Sequence, residues 1–241
     1  MSLRFPDKQA AREHAWAALD REKQAAYPFP PRGRIPNFKG AAAAAERLFT
    51  LEPWASARRI KVNPDSPQRA VRRIALERGV EVYVPTPKLA GGFMLLDPLR
   101  IPPDAFHKAS ARANWDRYAV PVALDDMPHL DAIVAGSVAV TPEGARAGKG
   151  AGYSDLEFAI LRELGHPPVP VATTVHDLQV IESMPTEAID QRMAAIATPT
   201  RAWATGADPA DAPQGIDWSR IDPEALAAMP PLQELFRRRR S

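Results

Sequence analysis

Between Gly144 and Asp155 the chain reads Gly-Ala-Arg-Ala-Gly-Lys-Gly-Ala-Gly-Tyr-Ser-Asp, which sets glycines 148, 150 and 152 beside the cations Arg146 and Lys149. Glycines at this spacing let a backbone turn tightly and bring bare N–H groups up to a ligand, and two cations add attraction for an anion. The apolar run from Leu130 to Val140 before the loop reads as a buried strand, and Leu156 to Leu164 after it reads as a helix. A cationic glycine loop between a strand and a helix start is a cradle for phosphate. Asp155 falls where the helix begins, so its carboxylate can cap the helix. The spacing matches neither the Walker loop nor the dinucleotide fingerprint. Glycine turns of this sort also serve purely structural ends, and the two cations and the acid in the same loop are what favour phosphate chemistry.

Other chemistries are excluded or disfavoured by residue type. The chain has no cysteine, hence no disulfide framework, thiolate metal site or thiol nucleophile. Its histidines, at 14, 107, 129, 166 and 176, are dispersed and form no His-x-x-x-His pair. Ala135-Gly136-Ser137-Val138 lacks the second glycine of a nucleophile elbow, so Ser137 reads as a packing residue at a strand end. His176-Asp177, also at a strand end, reads as structural. The net charge of +2 includes four arginines at 237–240, without which the sign reverses. The basic pI therefore describes a tail, expected to be solvated and disordered, rather than a nucleic-acid-binding face. No apolar run is long enough to span a membrane and the N-terminus has no signal-like apolar stretch, so the expected location is cytoplasmic.

The elements that must position the loop follow from the hydrophobic pattern. With 45% hydrophobic and 25% charged residues, the 241-residue chain suits one large domain over 1–200 with an N-terminal helical part, 1–57, and a C-terminal extension, 201–241, packed on the body. Pro6 to Leu19 is a helix with Asp7 as cap or first-turn acid, and Lys8 and Arg12 share one of its faces. Prolines at 28, 30, 31 and 36 break the next stretch, and the alanine-rich segment Gly40 to Leu51 is a second helix. From residue 58 strands and helices alternate: strand 58–62, the turn Asn63-Pro-Asp-Ser-Pro, helix 68–78 closed by Gly79, strand 80–84, a short strand 93–96 and helix 102–115. After the central strand at 130–140 come strands at 169–175 and 178–181 and an edge strand within 191–200. This order argues for an α/β protein with a mostly parallel sheet flanked by helices, whose ligands gather beyond the carboxyl ends of its strands. Trp203 and Trp218 dock the extension, and Asp222 to Phe236 reads as a short amphipathic helix interrupted at Pro230-Pro231.

The loop Gly144-x-Arg-x-Gly-x-Gly-x-Gly-Tyr-Ser-Asp155 resembles the signature of the 5-formyltetrahydrofolate cyclo-ligase family, also called methenyltetrahydrofolate synthetases, which reads Gly-x-Arg-x-Gly-x-Gly-x-Gly-Tyr-Tyr-Asp. That family also opens on a helix with Lys and Arg four apart, as Lys8 and Arg12 are. The resemblance runs to about Thr200 and is specific around the loop; Lys149–Glu157 and Thr173–Val180 are similar to a divergent branch of cyclo-ligase-like paralogues. It implies a fold like the NagB, ribose-phosphate isomerase and CoA-transferase group, a cytoplasmic location, ATP with Mg²⁺, and conversion of 5-formyltetrahydrofolate, or a related formylated substrate, to the 5,10-methenyl form. By the same resemblance Lys8, Arg12, Arg146 and Lys149 hold phosphate oxygens, and the backbone of Gly148, Gly150, Ala151, Gly152 and Tyr153 lines the nucleotide. Asp155 supports the metal, Tyr153 borders the folate, Phe93 and Met94 pack against its pterin, and Asp65 is the nearest acid for a folate contact. No catalytic side chain is assigned. Ser154 stands where the family has a second tyrosine, so the phosphate half of the site is better kept than the folate half. The alternatives are a non-catalytic nucleotide- or folate-binding paralogue with a regulatory role, or RNA association through Arg237–Arg240.

Overall fold

A computed structural model describes residues 3–150, 152–187 and 190–240. Its N-terminal part comprises helix α1 (Lys8–Arg21), the strands β1 (Ala25–Ala26) and β2 (Asn37–Phe38) paired antiparallel, and helix α2 (Ala41–Leu48). Asp7 caps α1 by accepting from the Ala10 amide at 2.8 Å. The body then runs β3 (Arg59–Val62), α3 (Arg69–Glu77), β4 (Glu81–Pro85), β5 (Phe93–Leu96), α4 (Phe106–Ala109), α5 (Trp115–Tyr118), β6 (Val120–Val122), β7 (Ala132–Ala135), β8 (Ala139–Val140), β9 (Arg146–Ala147), α6 (Tyr153–Glu163), β10 (Val171–Thr174), β11 (Ala195–Ala197) and β12 (Ala202–Ala204). Helices α7 (Pro223–Ala228) and α8 (Pro230–Arg240) complete it.

Eight strands form one sheet in the order β12-β11-β10-β7-β3-β4-β5-β6. The five central strands, β11 to β4, pair in parallel, and β12, β5 and β6 add antiparallel edges. Strands covered on both faces read as unbroken apolar runs, as Ala-Ile-Val-Ala of β7 does. Side chains alternate between two cores. Ile60, Val62, Val82, Val84 and Val134 face the core shared with α2 and α3. Tyr83, Ile133 and Ala135 face the core shared with α6 and α8. Lys61, between Ile60 and Val62, therefore points to the α6 face, where a charged group needs a partner.

The parallel α/β architecture agrees with the sequence reading, and several segments depart from it. The apolar run 130–140 is not one strand. It breaks at Gly136-Ser137, and β8 leaves the sheet to pair with β9 in a separate antiparallel ribbon. Residues 178–181 are not a strand either: Asp177–Gln179 is a 3₁₀ turn capped by His176, and only Val180 bridges, to Val140. The stretch 102–115 is broken into 3₁₀ turns around α4 and α5. Strand β12, unforeseen, forms the edge beside β11. The four terminal arginines are not a disordered end: they continue α8, and Arg238 pairs with Asp125 at 2.6 Å. Pro230 and Pro231 sit in the first turn of α8, where no intrahelical donor is lost. Trp203 donates to the Pro142 carbonyl at 3.0 Å and Trp218 to Glu163 at 3.1 Å, so both tryptophans tie the extension to the body. Among the described residues no helix is long and apolar enough to cross a membrane.

Candidate functional site

A cleft of about 1150 Å³ opens where β3, β4 and β7 end, which is where open parallel sheets collect ligands. Its wall is built from the turns that leave those strands: Asn63–Ser66 after β3, Thr86-Pro87 after β4 and Gly136 after β7. Helix α1 contributes Lys8 and Arg12, and the glycine loop contributes Arg146 through Asp155. Gly150 (φ 98°) and Gly152 (φ 68°) take left-handed backbone that side chains disfavour, and so turn the chain into α6. No side chain caps α6, and the amides of Gly148, Lys149 and Gly150 have no hydrogen-bond partner among the described residues. Free amides, a helix start and four cations at one end make a seat for a polyanion.

The cations are held in order. Arg12 Nε donates to the Gly148 carbonyl at 2.7 Å, which fixes the loop to α1. Burial, and then the charge of Arg146, lower the Arg12 pKa, as expected when two guanidiniums approach each other. Arg146, 6% exposed, donates from Nε to the Gly136 carbonyl at 3.1 Å and from Nη1 to Asp155 at 3.0 Å. Lys8 pairs with Asp190 at 2.5 Å. Lys149, more exposed, stands 4.0 Å from Asp65. Burial pushes the Asp65 carboxyl above its usual range, against the pull of Lys149, Arg72 and Arg146.

Beneath this shell lies a buried pair: Lys61, with no exposed surface, donates to Glu157 and, at 2.9 Å, to Asn63 Oδ1. Glu157, 4% exposed, lines the cleft, and its Oε1 has no hydrogen bond among the described residues. Burial raises its pKa, Lys61 opposes the rise, and Asp65 adds to it. Asp65 and Glu157 are thus two neighbouring carboxylates offered to the cleft as acceptors. Arg72 stiffens the wall behind them, with its fork on the carbonyls of Asn63, Asp65 and Ser110; burial lowers its pKa to about 9.

Of the residues singled out from sequence, Lys8, Arg12, Arg146, Gly148, Lys149, Gly150, Gly152, Tyr153, Asp155 and Asp65 converge on the cleft. Ala151 lies outside the described residues. Phe93 and Met94 are not brought to it. Phe93 is fully buried in the α6-side core, and Met94 points to the opposite face of the sheet against the other core. Both lie level with the carboxyl end of β4, opposite Pro85 and Val84, but side-chain alternation along β5 turns each into a core. Lys61, Asn63, Arg72 and Glu157 were missed. Their signal was present in a lysine inside the apolar strand Ile60-Lys61-Val62 and a glutamate inside the apolar stretch Leu156-Glu157-Phe158. Ser137 and His176 are structural, as read: Ser137 Oγ bonds Thr173 Oγ1 at 2.8 Å, and His176 Nδ1 accepts from the Leu178 amide at 3.1 Å.

The family described as 5-formyltetrahydrofolate cyclo-ligase matches residues 5–199. A methenyltetrahydrofolate synthase domain-containing protein of Mus musculus is 42% identical over 240 residues, covering 96% of this chain and 63% of the relative. That of Homo sapiens is 37% identical over 237 residues, covering 95% and 61%. The chain therefore spans about three fifths of the length of these curated relatives. Among solved structures, the 5,10-methenyltetrahydrofolate synthetase of Aquifex aeolicus superimposes with a TM-score of 0.52 at 16% identity, covering 83% of this chain and 94% of that one, a likeness of fold.

Proposed function

The chain belongs to the 5-formyltetrahydrofolate cyclo-ligase family, and we propose that it uses Mg-ATP to close the ring of a formylated reduced folate, 5-formyltetrahydrofolate or a close relative, to the 5,10-methenyl form. The observation that carries this reading is a polyanion seat beside a buried and a half-buried carboxylate, Glu157 and Asp65, in one cleft, with Lys149 bridging toward Asp65 at 4.0 Å. A formamide carbon resists attack because its nitrogen donates into the carbonyl. Transfer of the γ-phosphoryl group from ATP to the formyl oxygen, releasing ADP, makes that oxygen a leaving group. N10 then bonds to the carbon, its proton departs, the C–O bond breaks, and inorganic phosphate is released. Such transfer asks the protein mainly for alignment and charge.

The residues fit these tasks. Arg12, Arg146, Lys149 and the loop amides bind and orient the triphosphate, and Lys8 joins them from its pair with Asp190. Asp155 lines the cleft with one oxygen, Oδ1, engaged by Arg146 and by the Gln191 amide. A single carboxylate suits a Mg²⁺ ion that arrives with the nucleotide and keeps most of its waters, and no cluster of three metal-ligating side chains exists among the described residues. Bound there, Mg²⁺ would neutralise phosphate charge. Asp65 and Glu157 accept hydrogen bonds from N–H groups of the acceptor, and Tyr153 borders it. Calorimetry tests the assignment: Arg12→Ala is expected to weaken Mg-ATP about tenfold and leave folate affinity unchanged, while Asp65→Asn does the reverse. Both ligands weakened equally by both variants would refute the division of the cleft.

A further inference from the structure

The cleft also receives a cation from outside the family-matched residues. Arg220 lines it and pairs with Glu187 at 3.2 Å. The segment that carries Arg220 is firmly supported. Gln214 accepts from Arg162 at 3.0 Å, the Ile216 amide and Trp218 Nε1 donate to Glu163 at 3.3 and 3.1 Å, and Asp217 caps the Ser219 amide at 3.2 Å. Arg162 and Glu163 both belong to α6, the helix whose first turn closes the glycine loop, so loop and Arg220 ride on one element. Further on, Met229, Leu232 and Leu235 are buried in the core of that face.

The position of Glu187 shows which end of the cleft Arg220 serves. The Glu187 amide donates to Asp190 Oδ2 at 2.6 Å, and Asp190 holds Lys8. Lys8 lies one helical turn from Arg12, which is bonded to the loop at Gly148. Two acids of this wall, Glu187 and Asp190, thus each occupy one cation of the polyanion seat. The Arg220–Glu187 pair is more than half exposed on both side chains, 53% and 58%. Exposed pairs contribute little, and a polyphosphate carries several charges against one carboxylate, so the exchange favours the ligand.

We propose that Arg220 is a further phosphate-binding residue, that a bound nucleoside polyphosphate draws its guanidinium off Glu187, and that the segment beyond residue 199 thereby sets nucleotide affinity. The inference rests on the reading of the glycine-loop end as a polyphosphate seat. Titration calorimetry of the full chain with Mg-ATP, and separately with inorganic tripolyphosphate, tests it. Arg220→Ala is expected to weaken both probes about five- to tenfold, with Arg220→Lys recovering part of the loss. Glu187→Gln, which frees Arg220, should bind as wild type or tighter, and the double variant should match Arg220→Ala. Unliganded melting temperatures should stay within about 2 °C, because the pair is exposed. Wild-type affinity in Arg220→Ala, or equal weakening by Arg220→Ala and Glu187→Gln, overturns the inference and leaves the polyphosphate seat standing. Failure of the wild type to bind either probe overturns both.

Discussion

Lys61→Met isolates the charge of the buried pair, because the thioether chain refills most of the lysine stem and only the ammonium is lost. Lys61 is fully buried and holds both Glu157 and Asn63, so the variant leaves a 4% exposed carboxylate without its counter-charge. Breaking such a pair from one side costs about 3–5 kcal/mol, whereas replacing both partners with apolar groups is often neutral or stabilising. Lys61→Met should therefore lose about that much and Lys61→Met/Glu157→Leu much less. The sign of the pH dependence follows from the Glu157 carboxyl. Its folded pKa is already raised by burial, and removing Lys61 raises it further. A carboxyl with a folded pKa above its unfolded value of about 4.3 binds a proton on folding, so stability falls as pH rises between the two values, by about 1.4 kcal/mol per unit. The variant should come nearest to wild type around pH 4–5 and fall behind toward pH 8. Urea denaturation across this range, followed by the fluorescence of the tryptophans, of which Trp16, Trp54 and Trp115 are buried, measures it. Parallel curves for wild type and Lys61→Met, or a cost under about 1 kcal/mol at pH 8, would refute the reasoning.

Three more outcomes are expected. Gly136→Ala would place its methyl 3.0 Å from Asp65 Oδ2 and from Ile35 Cγ2; it should cost about 1–3 kcal/mol in urea melts and weaken folate binding more than nucleotide binding. Asp155→Asn keeps a contact for Arg146 but removes the charge, and should weaken Mg-ATP about tenfold with a steeper dependence on Mg²⁺ concentration in calorimetry. Trp218→Ala removes the hydrogen bond to Glu163 and the ring contact with Phe236 at 5.6 Å, so thermal melts should show a loss of about 1–3 kcal/mol.

Much of the architecture is legible in the sequence. The runs 58–62, 130–140 and 169–175, alternating with helical patterns, point to parallel strands, and three of the observed strands fall within them. What escaped has physical reasons. A lysine in a strand or a glutamate in a helix reads as a solvated face until topology puts one across from the other, as happens for Lys61 and Glu157. The break at Gly136-Ser137 is hidden in a run whose residues are apolar on both sides, because β8 leaves the sheet only to bury itself in another packing layer. The family resemblance implies a pterin surface at Phe93 and Met94, yet alternation in β5 commits each to a core. The arginines at 237–240 read as a solvated end by charge, yet Leu232 and Leu235 anchor the helix that carries them.

The most direct measurement follows ADP release and the absorbance of the cyclised product together, in one reaction of the purified full chain with Mg-ATP and 5-formyltetrahydrofolate. A cyclo-ligase built on this cleft releases one ADP for each methenyl product, and yields neither when either substrate is omitted. Binding of both ligands without ring closure, across formylated folates, would contradict the catalytic account and leave a ligand-binding paralogue in its place.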